Sequence, residues 1–386
     1  MADTSINAQI VQLPYAGGRY VATMPTDGFL TLVKYKIWGA GGGGGGWDSY
    51  AGGEGCGGAY VEGATYIRPG QLIEIFVGQG GGAGSAGSNA AGGYNGKSGT
   101  GYSGGRGGNS GGGGSSGAGG GGGGATVIRV DNVVQAIAGG GGGGPGAGQS
   151  GSANATSTLT PDSKSYATYQ GSGVHGEDHP GDGGGGGGGG GGNAGGVGGT
   201  AGGGDSSGAP GAAGTNMLPG LLPSTSGVYA SYRTPGGASD VDYPTGIATG
   251  GTAVPGAVRA GSNGYAELTF YRASGIYVKS GGEYKRVIHK AKIANNFQRK
   301  INSWVKINGT WHPVNATAPI NFTIDQTNWS DPGQARYVPP PPPPAYVYYG
   351  SSSSSYRSSY TESSTVSSWG GENFSRADRG GSSNSD

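Results

Sequence analysis

Residues 119–144 read GGGGGG, ATVIRV, DN, VVQAIA, GGGGGG without interruption. The β-branched runs 125–130 and 133–138 flank Asp131-Asn132, whose short polar side chains tolerate the positive φ of a two-residue hairpin turn. The pattern therefore predicts an antiparallel hairpin. Its open ends lie roughly 5 Å apart, so the two hexaglycine runs leave the sheet as neighbours and in register. Glycine has no Cβ to hold backbones apart, and a polyproline II-shaped chain leaves its N–H and C=O groups free for other chains. Two fates are open to such runs. They form a bundle of polyglycine helices bonded laterally, so that every backbone group is satisfied, or they are flexible linkers.

The same passage from strand into glycine recurs along the chain. Residues 8–24 hold two short candidate strands around Tyr15-Ala16-Gly17-Gly18. In 29–38, Phe29, Thr31, Val33, Tyr35 and Ile37 alternate with residues that include Lys34 and Lys36, which predicts a half-buried strand. It runs into Gly39-Ala40 and six glycines. Pro69-Gly70 is a strong turn signal between 59–68 and 72–78, and reads as a second hairpin feeding glycine from Gly78 onward. The longest excursion, 146–260, holds a ten-glycine run at 183–192. It closes on NGYAELTFY at 263–271, where Ala266, Leu268 and Phe270 alternate with Glu267 and Thr269, a final core strand.

Glycine supplies 96 of 386 residues and only 33% are hydrophobic, so the apolar residues must be concentrated to make any core. They gather in the strand-like segments. This argues for one β core with large insertions. A formal net charge of +1 with 12% charged residues removes the electrostatic footprint of a nucleic-acid or anionic-membrane binder. The single Cys56 allows no internal disulfide and suits a reducing cytosol. Neither a signal-peptide pattern nor an apolar run of membrane-spanning length is expected here.

Composition shifts near Ala273. Tyr277 to Val287 aligns without a gap with Trp304 to Val314, each reading aromatic, Val, Lys, a turn with Gly, aromatic and a closing Val, a small hairpin with aromatics paired across it. Between the copies, 290–300 reads as a short helix or a third strand. The expected organisation is a β-sandwich with glycine-rich insertions over 1–272 and a hairpin-repeat module over 273–338. A polyproline rod follows over 339–349, and a Ser-rich tail, expected to be disordered, over 350–386.

Few motifs carry chemistry. The formal GxGxxG match at 39–44 is one that any polyglycine run makes, and no amphipathic helix follows it. Residues 92–98 lack the first glycine of a phosphate loop, and Gly104-Gly105-Arg106-Gly107-Gly108 is a single RGG-like copy. His175, Glu177, Asp178, His179 and Asp182 are dense in metal-binding types, but no Cys or third His joins them and no helix sets the His spacing, so a polar loop tip is expected and no metal site. No Ser/His/Asp, Cys/His or paired-carboxylate constellation stands out, and there are four histidines in all, so neither an enzyme nor a cofactor is expected.

The aromatics say more. There are 23 Tyr against 6 Phe, many of them in Gly/Ser-rich loops. Such rings give contact area at low entropic cost in recognition loops; equally, they could close the ends of a glycine bundle against water. The candidate contact residues are Trp47, Tyr50, Tyr94, Tyr102, Tyr166, Tyr169, Tyr229 and Tyr232.

In order, the segments GAGGGGGG, GGAYVEG, RPGQ, VGQGGG, GGGGGGATVIRV, VVQAIAGGGGGG and NGYAELTFY resemble the glycine-rich domain of bacteriophage tail-fibre and adhesin proteins. A related pattern occurs in the ectodomain of the anaplastic lymphoma kinase receptor. The resemblance covers about 27–271. It implies an all-β fold, an antiparallel, jelly-roll-like β-sandwich bearing a lattice of polyglycine II helices, with variable loops at the far end that in phage adhesins contact a host receptor. The chain would then be a virion protein assembled in the host cytoplasm. Its partners would be other tail or fibre proteins and a host surface molecule, without nucleic acid or membrane insertion, and with homo-oligomerisation open. The rival reading is a structural or decoration protein of the virion with the glycine domain as a spacer.

Overall fold

The structure, a computed structural model, describes residues 8–26, 31–98, 101–111, 116–148, 171–218, 227–228, 233–272 and 320–326, with six short strands between 276 and 313 described by their backbone alone. No helix occurs among the described residues; the ordered elements are strands in antiparallel sheets. Ten strands build the centre: β1 (Ala8–Pro14), β2 (Arg19–Thr23), β3 (Thr31–Trp38), β4 (Tyr60–Ile67), β5 (Leu72–Phe76), β6 (Thr126–Val130), β7 (Val133–Ala138), β8 (Gly227–Val228), β9 (Tyr265–Arg272) and β10 (Thr323–Asp325). One five-stranded sheet has the order β1-β9-β3-β4-β8, the other β10-β2-β5-β6-β7.

Alternation decides which face is inward. Val33, Tyr35 and Ile37 of β3 are buried beside Ala266, Leu268 and Phe270 of β9. They share one core with Tyr20, Ala22, Ile73, Ile75 and Ile128 of the other sheet, the arrangement of a β-sandwich. Burying each large side chain contributes roughly 1.5–3 kcal/mol. The predicted hairpin is β6–β7, with Val130 opposite Val133 and both turn residues at positive φ, 49° at Asp131 and 63° at Asn132.

Two expectations about connectivity are corrected. The Pro69-Gly70 turn does not close a hairpin: β4 pairs with β3 in the first sheet and β5 with β2 and β6 in the second, so the chain crosses between sheets there. The turn is bonded to the end of β2 instead, Gly70 N donating to Met24 O and Met24 N to Gln71 O. The two candidate strands of 8–24 form β1 and β2 and go to different sheets. Lastly, residues assigned to the C-terminal module return to the sandwich: β10 pairs with β2, and the Gln9 side-chain amide both donates to Ile320 O and accepts from Ile320 N. Ile320 is buried in the core and Phe322 lies 6.1 Å, centroid to centroid, from Phe270, so apolar burial draws the segment back.

In the hairpin region the backbone forms three two-stranded ladders, Ile276–Ser280 with Glu283–Val287, Lys290–Ile293 with Asn296–Arg299, and Trp304–Ile307 with Thr310–Pro313. The register sets Tyr277 opposite Arg286 and Tyr284 opposite Lys279, so the repeat's aromatics are not direct cross-strand partners. The expected rod and tail, 339–386, lie outside the described residues, as does Phe29.

Beyond the sheets the glycine runs bond to one another. In 39–46 the amides of 39, 42 and 45 donate to the carbonyls of Ala59, Cys56 and Gly53; those of 40, 43 and 46 donate to Gly124, Gly121 and Ala118; those of 41 and 44 donate to Ser262 and Arg259, all at 2.7–3.0 Å. The partner thus repeats every third residue. Run 183–192 follows the same rule with a full set of neighbours. Its amides reach 206–212, 117–123 and 171–177, and its carbonyls accept from 196–202, 140–146 and 105–108. Only glycine fits there: a Cβ added at Gly188 would lie 2.2 Å from Gly105 O.

Proline falls where no amide is needed. In 139–147, the amides of 140, 143 and 146 donate to Gly191, Gly188 and Gly185, and those of 141, 144 and 147 to Ala40, Gly43 and Gly46. Pro145 occupies the third phase, so its missing N–H costs neither ladder a bond.

Candidate functional site

Interior and flank runs differ in sequence for a physical reason. Runs 41–46, 119–124, 139–144 and 183–192 are buried throughout and are glycine throughout. Flanking runs bond on fewer sides and carry side chains at every third position. Run 102–109 places Ser103, Arg106 and Asn109 in the partly exposed phase, with Gly104, Gly105, Gly107 and Gly108 buried. Run 196–202 turns Val197, 65% exposed, and Thr200 outward. Laterally, 102–109 bonds to 93–96 on one side and 173–176 on the other, and 174–177 bonds to 196–199. A continuous flank results, and outward residues on it can change without touching a ladder. The Gly-Gly-X period at 103–109 and 194–200, which the sequence analysis did not use, is the sequence signal for it.

Trp47 and Tyr50 stand in a short loop where run 39–46 ends, both exposed. Between them Asp48 is buried and its amide donates to Tyr50 O at 3.0 Å, which holds the loop tight. Tyr94 is exposed on the flank, its carbonyl accepting from Gly82 N. Tyr102 is corrected. It is wholly buried, packed with Phe76, Val127, Val134 and Ile137 on the outer face of the second sheet, so its ring belongs to the core. Tyr243 also packs, in a cluster with Trp38, Tyr60 and Tyr265, and its hydroxyl donates to Ile247 O. Tyr166, Tyr169, Tyr229 and Tyr232 lie outside the described residues. Trp47, Tyr50 and Tyr94 are the candidates found at the surface.

The dense His/Asp/Glu loop is tied to backbone. His175 Nδ1 accepts from Arg106 N at 2.7 Å, and His179 Nδ1 accepts from both Gly181 N and Gly183 N at 3.0 Å. Asp178 pairs with Arg106 at 3.1 Å and accepts from Asn109 N. These bonds occupy the Nδ1 lone pairs of both imidazoles. Among the described residues no group of three or more His, Cys, Asp or Glu is placed to hold a metal ion.

A second polar cluster pins the 233–247 loop to the first sheet. Lys36 Nζ lies 2.8 Å from Asp240 and 2.7 Å from Asp242, and the Tyr60 hydroxyl is 3.0 Å from both Asp240 and Glu62. Burial alone would raise the Asp240 carboxyl and lower the Lys36 ammonium. Hydrogen bonding outweighs it in both, holding Asp240 below the usual carboxylate range and Lys36 above the usual ammonium range. For Asp240 the sign is that of a depressed folded value, so its contribution is full above the unfolded value and is lost as pH falls through the folded one. Limited proteolysis within 233–247 is therefore expected to begin in wild type only below about pH 4. In Asp240→Asn it should occur already at neutral pH.

No helix among the described residues is long and apolar enough to cross a membrane. No protein-family model and no curated protein sequence matches the chain.

Proposed function

We propose that the protein is a non-enzymatic structural component of a phage virion, a tail-fibre or tail-tip adhesin that binds a host surface molecule through side chains seated on a rigid polyglycine II bundle. The observation that carries this reading is the lateral bonding of the runs with a three-residue repeat, which is the period of a polyglycine II helix. A contact residue fixed on such a support loses less entropy on binding than one on a free loop. Trp47 and Tyr50 at a run's end and Tyr94 on the flank supply exposed rings on short, bonded connections. The strands following Ala273 would form the module that joins other virion proteins.

Adsorption of particles carrying the double substitution Trp47→Ala and Tyr50→Ala tests the proposal. Two exposed aromatic anchors at a binding centre are worth roughly 2–4 kcal/mol together, so affinity for host cells should fall at least about tenfold with an unchanged melting temperature. Normal adsorption by this variant and by Tyr94→Ala would remove these rings from the contact. Binding of purified protein to stripped particles but not to cells would support the spacer role instead.

A further inference from the structure

A strand at the edge of a sheet presents a row of unpaired N–H and C=O groups on which another strand can form, and folded proteins commonly blunt such edges. The two five-stranded sheets have four edges between them, and three are blunted. β8 offers only two residues and β10 three, with Asp325 of β10 ion-paired to Arg19. β7 is covered, since Ile137 N donates to Met217 O and Met217 N donates to Ile137 O. β1 differs from all of them. It runs for seven residues, AQIVQLP, in unbroken register with β9, and no backbone bond joins it to any described residue on its other side. None of the seven is charged, and the one proline stands at the very end. The residues that face the core are engaged there, Leu13 by burial and Gln9 by its two bonds to Ile320. The outward row, Ala8, Ile10 and Gln12, is exposed, with Ile10 at 62%.

We propose that β1 pairs antiparallel with β1 of a second copy of this chain. In an antiparallel pair related by a two-fold axis each strand gives the other the same donors and acceptors, so this one edge is enough to close a dimer. The surroundings of the axis suit a self-contact. Ala8 lies opposite Tyr271 and Ile10 opposite Thr269, and the nearest charges are engaged within their own copy: Glu267 accepts from Gln12 Nε2 at 3.0 Å, and Lys34 Nζ sits 5.3 Å from the centroid of the Tyr271 ring. No charge of β1 meets its own copy across the axis. The pairing brings the two Ile10 side chains onto one face, where cross-strand neighbours cover apolar surface that each copy alone leaves bare, and it joins the two first sheets edge to edge. Because the strands oppose one another across the axis, β3 of each copy and the glycine run 39–46 that follows it point to opposite ends of the dimer. The pairing depends on the edge alone and holds whatever the aromatic rings at the far end contact.

Sedimentation of the full chain tests it. The mean mass should rise towards twice the monomer value between about 1 and about 100 µM protein, reversibly on dilution. Ile10→Lys sets two ammonium groups beside the axis, the device by which natural edges avoid pairing. It should raise the dissociation constant at least about tenfold and, because the side chain is exposed, leave the thermal unfolding of the dilute monomer as in wild type. Single cysteines then locate the contact: Ala8→Cys, Ile10→Cys or Gln12→Cys on β1, with Val254→Cys, exposed in another part of the chain, as the control. The natural Cys56 is buried and does not interfere. Mild oxidation should link two copies through at least one of the β1 positions and not through position 254. A chain that stays monomeric at about 100 µM, or a dimer that keeps its affinity in Ile10→Lys or is linked through none of the β1 cysteines, would overturn the pairing.

Discussion

Valine at Gly188 is expected to cost at least about 4 kcal/mol and to collapse the glycine layers while Val197→Ala, on the outer flank, changes stability by less than about 0.5 kcal/mol. The Cβ of Gly188→Val would sit 2.2 Å from Gly105 O and 2.7 Å from Gly105 C, closer than any real Cβ contact. Run 183–192 would have to move away from 105–108, yet it is bonded on its other sides: Gly188 N donates to Gly120 O and Gly143 N donates to Gly188 O. Each buried backbone group left unpaired costs about 1–3 kcal/mol, and the movement strands several. Gly121→Val should behave alike, with its Cβ 2.0 Å from Tyr94 O. Thermal unfolding of the three variants checks this. Equal melting temperatures would mean that the close approach of the runs is not what holds them.

The second large effect is expected where the sheets meet the glycine runs. Thr126, wholly buried, donates from Oγ1 to Trp38 O at 2.6 Å and accepts from Gly78 N at 3.2 Å. Trp38 is the last residue of β3 and Gly78 closely follows β5, so one hydroxyl joins three strands at the point where each passes into glycine. Thr126→Val keeps the shape and deletes the hydroxyl. It leaves a buried carbonyl and a buried amide without this partner, at about 1–3 kcal/mol each, so a loss of roughly 2–5 kcal/mol is expected. Denaturant unfolding should show it. Thr126→Ser, which retains the hydroxyl, should recover most of the difference, and failure of serine to do so would assign the effect to packing.

What could be read from the chain, and what could not, follows from the range of the forces involved. The alternation through β3 and β9 reports a face, and the Asp131-Asn132 pair reports a turn, so these were legible. Pro69-Gly70 reports only that the chain reverses. Whether the following strand pairs with the preceding one or crosses the sandwich depends on partners elsewhere, here β2 and β6 for β5. The return of β10 rests on burial of Ile320 some 300 residues from Gln9, which no local pattern announces. Tyr102 shows the limit for single residues: its setting among Gly and Ser looks like a loop, and its ring lies under a sheet. The flank was encoded in the Gly-Gly-X period, which becomes informative once a three-residue repeat of bonding partners is known.

Amide hydrogen exchange across the glycine runs of the purified protein tests the central claim most directly. Bonding between runs predicts slow exchange through 119–124, 139–144 and 183–192, comparable with that of β6 and β7. Fast exchange in the three runs with protection confined to the strands would contradict it.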